Sequence, residues 1–256
     1  MAIEVFNRVE KKYILPKEKY EDFLKCVKQY MDEDKFCIGN AMYAISNIYF
    51  DTWDDALIRR SMDKPVYKEK MRLRSYGIPK MDDKVFLEIK KKYRGVVNKR
   101  RTVLRLNEAY DFLLDGKIPQ KSEYVNAQVL KELIYFMEYY KPVPKVYLAY
   151  DRKALFGKED SNLRLTFDTN IRARREDVRL EAGDWGELLV GNDNYLMEIK
   201  TIGAMPIWMA ELLNEMEIHC CSFSKYGTEY RNYLKTQQEI KNKLFIYGGN
   251  NVRDNF

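Results

Sequence analysis

Lysine and arginine alternate with other residues along several short segments of this 256-residue chain. The clearest case is the segment 66–76, where single residues separate Lys68, Lys70, Arg72 and Arg74. Alternate residues of a β-strand lie on one face, so these four cations would form a row. Such a row neutralises phosphate oxygens, and arginine can do so through two parallel hydrogen bonds. The pattern therefore predicts a binding site for a chain of phosphates.

Single carboxylates occur in segments of the same kind. Glu10, Glu88 and Glu198 each share a strand face with lysines. Carboxylate oxygens are hard ligands for Mg²⁺ or Mn²⁺, so a few of them among many cations suit a phosphate chain with a divalent ion. The alternative is a sheet with one solvated and one buried face. Neighbouring surface strands usually mix charge signs, however, and here three consecutive strands place positive beside positive.

Several other chemistries find no support in the sequence. A single histidine, His219, argues against a histidine-based triad and excludes multi-histidine zinc sites. The four cysteines form no CxxC pair, which argues against structural zinc. The phosphate-binding patterns GxxxxGK[ST] and GxGxxG are absent. A nucleotide would therefore be held by side chains rather than by a glycine-rich loop.

The net charge of +6 is unevenly distributed. Residues 64–105 hold 15 Lys and Arg against 4 Asp and Glu, whereas the rest of the chain holds 30 against 35. One basic block in an otherwise mildly acidic chain implies a polyanionic partner: nucleic acid, anionic lipid or phosphate chains. The absence of RNP-like aromatic motifs argues against RNA, and we attribute the 20 tyrosines to packing rather than to base stacking.

Hydrophobic periodicity predicts about eight strands with helices inserted between them. Strand-like segments are 5–15, 45–51, 66–76, 84–92, 97–106, 145–151, 163–168, 178–181 and 195–201. Helix-like segments are 17–31, 53–61, 107–114, 122–140, 206–216 and 224–243, with Asn107 and Ser122 as N-caps. Because strands and helices do not alternate regularly, we expect an α+β fold with an antiparallel sheet or barrel rather than a doubly wound sheet. If the sheet closes, the charged face lines its interior.

Eight short motifs occur in an order that resembles the VTC polyphosphate polymerase domain, a branch of the CYTH or triphosphate tunnel superfamily. They are SNIYFDT at 46–52, KMRLRSYG at 70–77, FLEIKKK at 86–92, NKRR at 98–101, YDRKA at 150–154, RLTFDTNI at 164–171, LMEIKT at 196–201 and FSKYG at 223–227. The opening strand is similar to the superfamily pattern Glu-x-Glu-x-Lys, with Arg8 in place of the first Glu. The resemblance implies a free-standing, bacterial-type member. It implies one domain over residues 1–256 that forms an antiparallel β-barrel tunnel, with a loose tail from about residue 248.

The resemblance also implies a metal-dependent enzyme that transfers the γ-phosphoryl group of ATP to polyphosphate. Together with the alternation pattern, it places the following residues in the site. The catalytic phosphate ligands are Lys12, Arg72, Arg74, Lys90, Arg152 and Lys225. Further substrate contacts are Arg8, Lys70, Lys92, Lys99, Arg101 and Lys200. The carboxylates for Mn²⁺ or Mg²⁺ are Glu198 and, as further candidates, Glu10, Glu88 and Asp168. The alternative for Glu10 and Glu88 is that they only pair with neighbouring cations and orient them.

Two other functions remain open at this point. A triphosphatase of the same fold would use water as the acceptor, and Arg8 disfavours it by removing a carboxylate. A non-catalytic polyphosphate-binding module would keep the cations, and the presence of Glu198 disfavours it. Ser222 stands where the eukaryotic VTC pattern has a second lysine before Lys225.

The expected partners are ATP and inorganic polyphosphate or triphosphate, and not nucleic acid. No segment reaches the roughly 18 apolar residues of a membrane span. The N-terminus lacks a signal-peptide pattern, so we expect a cytoplasmic protein. The sequence does not determine the oligomeric state.

Overall fold

The computed structural model describes residues 8–37, 41–94, 96–191 and 193–248. The start of the predicted first strand, residues 5–7, and the predicted loose tail after residue 248 lie outside these ranges. The strands are β1 (Arg8–Pro16), β2 (Met31–Glu33), β3 (Tyr43–Asp51), β4 (Tyr67–Tyr76), β5 (Lys84–Tyr93), β6 (Val96–Arg105), β7 (Val143–Gly157), β8 (Arg164–Arg174), β9 (Glu187–Leu188) and β10 (Asn194–Ile202). The helices are α1 (Lys17–Val27), α2 (Ala56–Met62), α3 (Leu106–Asp115), α4 (Ala127–Tyr140), α5 (Ile207–Glu215) and α6 (Lys225–Gly248).

The strands form one antiparallel sheet, as the sequence predicts. Its order is β1-β10-β8-β7-β3-β4-β5-β6, with β2 paired to β7 and β9 paired to β8. The described residues form ten strands rather than eight, because two short strands add to the eight of the main path. Within the described residues, the end strands β1 and β6 do not pair with each other. Side chains from all eight strands of the path nevertheless line one cavity, so the sheet is strongly curved but not a strictly closed barrel.

The convex, apolar face of the sheet is buried under the helices. On one side, Met71 and Leu87 pack with Phe112 of α3 and Leu133 of α4 in one core cluster. On the other side, the apolar residues of β1, β8 and β10 pack against α1 and α5, and Phe23 and Phe167 belong to this cluster. Since helices cover the apolar face, the alternating charged residues must face the concave side.

Three local predictions were wrong. Residues 178–181 form no strand, because the Arg174 guanidinium donates hydrogen bonds to the carbonyls of Asp177, Arg179, Gly183 and Trp185 and the segment loops around it. The predicted first helix over 17–31 ends at Val27, and Met31 instead begins β2, which pairs with β7.

The predicted helix caps are the third error. Asn126, not Ser122, caps α4, and its side chain accepts hydrogen bonds from the backbone of Gln128 and Val129. Helix α3 begins at Leu106 after Arg105 rather than after an Asn107 cap, with the Glu108 side chain accepting from the Arg105 backbone. No helix in the described ranges is long and apolar enough to cross a membrane.

Candidate active site

The concave face of the sheet encloses a cavity of about 770 Å³. Twelve Lys and Arg but only three Glu are among the described residues that line it. The cations are Lys12, Lys70, Arg72, Arg74, Lys90, Lys99, Arg100, Arg101, Arg152, Arg164, Lys200 and Lys225, and the carboxylates are Glu10, Glu88 and Glu198. So large an excess of positive charge in a concave site attracts a polyanion.

The wall formed by β4, β5 and β6 holds its arginines in fixed positions. Arg72 lies opposite Glu88 in the sheet register, and its Nε donates to Glu88 Oε2 at 2.7 Å. Lys99 Nζ lies 2.6 Å from the other oxygen of Glu88. Burial alone would raise the pKa of Glu88, but Arg72, Arg74 and Lys99 hold it well below its usual range. Glu88 therefore stays ionised and fixes two cations at the cavity wall.

Arg74 is fixed by neutral groups instead. Its Nε donates to Asn47 Oδ1 at 2.8 Å, and an amino nitrogen donates to the Tyr150 hydroxyl at 2.9 Å. Only 7% of Arg74 is exposed. Since Asn47 and Tyr150 carry no charge, the positive charge of Arg74 stays available to an anion in the cavity.

The opposite wall contains a buried ion-pair triad. Arg152 makes a bidentate contact to Asp168 at 2.6 and 2.7 Å, and Lys225 Nζ lies 2.5 Å from the same carboxylate. Asp168 is fully buried and is not among the residues that line the cavity. Burial opposes its ionisation, but Arg152 and Lys225 lower its pKa. Asp168 thus lies behind two cations that face the cavity and holds them in place.

Glu10 and Glu198 form the third group, on the paired strands β1 and β10. In the register, Glu10 lies opposite Lys200 and Lys12 lies opposite Glu198. Lys12 Nζ lies 3.2 Å from a Glu10 oxygen and 3.4 Å from a Glu198 oxygen. Lys200 contacts the second oxygen of Glu198 at 2.8 Å. Burial would raise the pKa values of both carboxyls, but the surrounding cations lower them.

These carboxylates differ in how well they suit a divalent cation. No three Asp, Glu, His or Cys side chains in the described ranges lie together as an all-protein metal site would require. Both oxygens of Asp168 and both of Glu88 contact cations at 2.7 Å or less, whereas one oxygen of Glu198 lies 3.4 Å from Lys12 and 3.6 Å from Lys225. Glu10 and Glu198 are two ionised carboxylates that share one lysine at the cavity surface. They fit a Mg²⁺ or Mn²⁺ ion that completes its shell with phosphate oxygens and water.

A sequence profile of the VTC domain matches residues 7–234. The chain belongs to the VTC domain family. No curated protein matches it. Among solved structures, a candidate adenylate cyclase from Bacillus halodurans is 15% identical with a TM-score of 0.51, over 87% of this chain and 96% of the other. HpAC1 from Hippeastrum, a candidate adenylyl cyclase described as having a dominant triphosphatase activity, is 17% identical with a TM-score of 0.51, over 88% and 96%. At these identities the likeness shows a common fold.

The VTC domain brings together most of the residues that the sequence places in the site. All six proposed catalytic cations line the cavity, as do Lys70, Lys99, Arg101 and Lys200. Lys92 is exposed and lies outside the lining, beside Lys68, where β4 begins and β5 ends. The side chain of Arg8 lies outside the described residues. Of the carboxylates, Glu10, Glu88 and Glu198 reach the cavity and Asp168 lies behind it.

Sequence reasoning missed several lining residues of the VTC domain. Arg164 shares a face of β8 with Asp168 and begins the motif RLTFDTNI, so alternation could have identified it. Five lining tyrosines were also missed: Tyr43, Tyr49, Tyr76, Tyr150 and Tyr226. Three of them, Tyr49, Tyr150 and Tyr226, do pack in a buried core cluster as expected, but their rings also face cations of the cavity. Lys225 Nζ, for example, lies 4.5 Å from the centroid of Tyr150.

Two lysines of the cavity titrate near neutral pH. Burial lowers the pKa of Lys99 to about 7, in spite of its Glu88 partner, because Arg72 and Arg74 repel a third charge. Burial and neighbouring lysines lower the pKa of Lys70 to about 8. Both ammonium groups therefore lose their protons at a lower pH than an ordinary lysine does. A bound polyanion would restore the charged form.

Raising the pH from about 6 to about 9 is expected to weaken tripolyphosphate binding by about tenfold more than the ligand's own titration explains, because charged hydrogen bonds from Lys99 and Lys70 are lost. Binding above about pH 7 should take up protons, since phosphate favours the charged lysines. Calorimetry in buffers of different ionisation enthalpy measures both effects. Lys99→Met is the control that removes Lys99 but not the ligand's titration. An equal pH slope in Lys99→Met and in the unmodified protein would contradict the assignment.

Proposed function

We propose that this VTC domain is a metal-dependent polyphosphate polymerase. It transfers the γ-phosphoryl group of ATP to the end of a polyphosphate chain held in the cavity. The observation that carries the proposal is the lining of twelve cations and three carboxylates, contributed by seven strands of the sheet path and by Lys225 of α6. Membership of the VTC family supports the same conclusion.

The reaction needs positioning and charge neutralisation more than a side-chain nucleophile. A terminal phosphate oxygen of the acceptor forms a bond to the γ-phosphorus, and the bond from that phosphorus to the β,γ-bridging oxygen breaks to release ADP. Arg72, Arg74 and Arg152 are held by partners behind them. Their donors are therefore already in place when negative charge develops, which is the arrangement that lowers a transition-state barrier most.

Glu10 and Glu198 would hold the divalent ion. When bound, Mg²⁺ or Mn²⁺ would neutralise charge on the phosphate oxygens. Lys12 and Lys200 lie against these carboxylates and keep them ionised. The two Glu side chains supply too few oxygens for a complete coordination shell, so ion and polyphosphate would bind together.

A triphosphatase is the second candidate. HpAC1, which shares the fold, is described as having a dominant triphosphatase activity, and ionised Glu10 and Glu198 could orient a water molecule. Against this candidate, every described carboxylate of the cavity contacts at least one cation. A carboxylate fixed in this way serves positioning better than proton removal.

Incubation of the purified protein with ATP and Mn²⁺ tests the proposal. We expect ADP without matching free phosphate and a ladder of polyphosphate on a stained gel. Phosphate released in step with ADP, without a ladder, would establish the triphosphatase instead. Tight polyphosphate binding with no turnover would instead show that the protein is a non-catalytic polyphosphate-binding module.

A further inference from the structure

One end of the cavity is aromatic. Tyr43 at the start of β3 and Tyr76 at the end of β4 both line it, and their ring centroids lie 5.9 Å apart. Phe86 of β5 meets Tyr76 edge-on at 5.7 Å. The three rings lie on three adjacent strands and form an aromatic mouth, which we define as Tyr43, Tyr76 and Phe86.

The aromatic mouth is open to solvent but continuous with the wall formed by β4, β5 and β6. Tyr76 is 52% exposed, although Arg74, two residues earlier on the same face, is 7% exposed. Two residues of a strand span about 7 Å. Arg101 lies over the Phe86 ring at 4.8 Å. An exposed ring thus follows a buried, fixed arginine on the same face of β4.

At the opposite end of β4 and β5, lysines rather than aromatic rings occupy this face. On the face that carries Lys70 and Lys90, the next positions are Lys68 and Lys92, directly opposite each other in the register. Lys68 and Tyr76 are eight residues apart, or about 26 Å along the strand. A ligand that is aromatic at one end and polyanionic along the rest of its length would match this order.

We propose that the aromatic mouth stacks the purine base of the nucleotide whose triphosphate occupies the cavity. This inference rests on the proposed function, since it assigns the base of the ATP donor. Stacking on an aromatic side chain suits every base through its π-face, and a purine offers the larger face. The phosphates then extend past Arg74 and Arg72 toward the lysines, and the polyphosphate chain occupies the end marked by Lys68 and Lys92.

Tyr76→Ala is expected to weaken ATP binding by about tenfold, the usual effect of removing one stacking ring, and to leave inorganic tripolyphosphate binding within about twofold. Tyr76→Phe keeps the ring and should bind both ligands as the unmodified protein does. The matched control is Tyr135→Ala, an exposed tyrosine of α4 (65% exposed) remote from the cavity lining. Calorimetry in EDTA, where no metal-dependent turnover occurs, measures both ligands. Equal changes for ATP and tripolyphosphate in Tyr76→Ala would overturn the proposal.

A second measurement needs no variant. ATP and ribose 5-triphosphate carry the same triphosphate on the same sugar, and only ATP has a base. We expect the unmodified protein to bind ATP about tenfold more tightly, and equal affinity would overturn the aromatic mouth as a base site. Failure of both compounds and of tripolyphosphate to bind would instead overturn the proposed function, so the two failures are distinguishable.

Discussion

Asp168→Ala is expected to lower the free energy of unfolding by about 3–5 kcal/mol, the usual cost of removing one partner from a buried ion pair. The Asp168 carboxylate is fully buried, and it neutralises Arg152 and Lys225 at 2.5–2.7 Å. Without it, two buried cations face each other with Glu198 as a shared and more distant counter-charge. Denaturant unfolding followed by circular dichroism measures the loss.

Tripolyphosphate is expected to recover part of that loss. Arg152 and Lys225 line the cavity, so a bound phosphate can replace the missing carboxylate. Tenfold tighter binding would add about 1.4 kcal/mol of ligand-induced stability in Asp168→Ala relative to the unmodified protein. The variant should nevertheless turn over more slowly, because Arg152 loses the partner that orients it.

Glu229→Ala is the matched control for this prediction. Glu229 also makes a bidentate pair, with Arg175 at 2.7 and 2.9 Å, and it is nearly buried. Neither residue lines the cavity. We expect Glu229→Ala to be destabilised without additional rescue by tripolyphosphate. The same rescue in both variants would show that Asp168 does not neutralise phosphate-binding groups.

The sequence predicts the strands of the site well because alternation is a local property. Lys70, Arg72 and Arg74 share a face of any strand that contains them, whichever strand lies beside it. The covering of the opposite face by helices follows from the apolar residues at the intervening positions. For the same reason, the predicted bounds of β4, β5 and β6 agree with the structure to within one residue at every end.

The partner of each carboxylate could not be predicted, because it depends on register between strands distant in sequence. Glu88 lies opposite Arg72 only through the β4–β5 pairing, and nothing local distinguishes it from Glu198 as a metal candidate. Asp168 has the sequence pattern of a lining residue, but the bulged β7–β8 register places Arg152 beside it and closes it from the cavity. The cap of α4 could not be predicted for the same reason. At the start of this helix, the Asn126 N–H donates to the hydroxyl of Thr102 in β6, 24 positions earlier in the chain.

Glu198→Gln is expected to reduce turnover with Mn²⁺ by about 10²–10³-fold, comparable to the loss of one key electrostatic group in an active site. Glutamine keeps the shape of the side chain and one oxygen acceptor but loses the charge that would hold the ion with Glu10. Lys12, Lys200 and Lys225 lose a counter-charge as well. Tripolyphosphate binding in EDTA should therefore be unchanged or tighter, while Mn²⁺ binding in the presence of tripolyphosphate, followed by electron paramagnetic resonance, should weaken.

Glu88→Gln makes the same chemical change in the same cavity and separates charge loss from metal binding. Glu88 is as buried as Glu198 and contacts two cations, Arg72 and Lys99. Its removal would free cations without removing a proposed metal ligand. We expect Mn²⁺ affinity in Glu88→Gln to match that of the unmodified protein and turnover to fall much less than in Glu198→Gln.

Equal losses of Mn²⁺ affinity in the two variants would show that the divalent ion responds to the charge of the whole cavity. Unchanged Mn²⁺ affinity in Glu198→Gln would show that Glu198 is not a metal ligand, because the ion would then bind equally well without its charge.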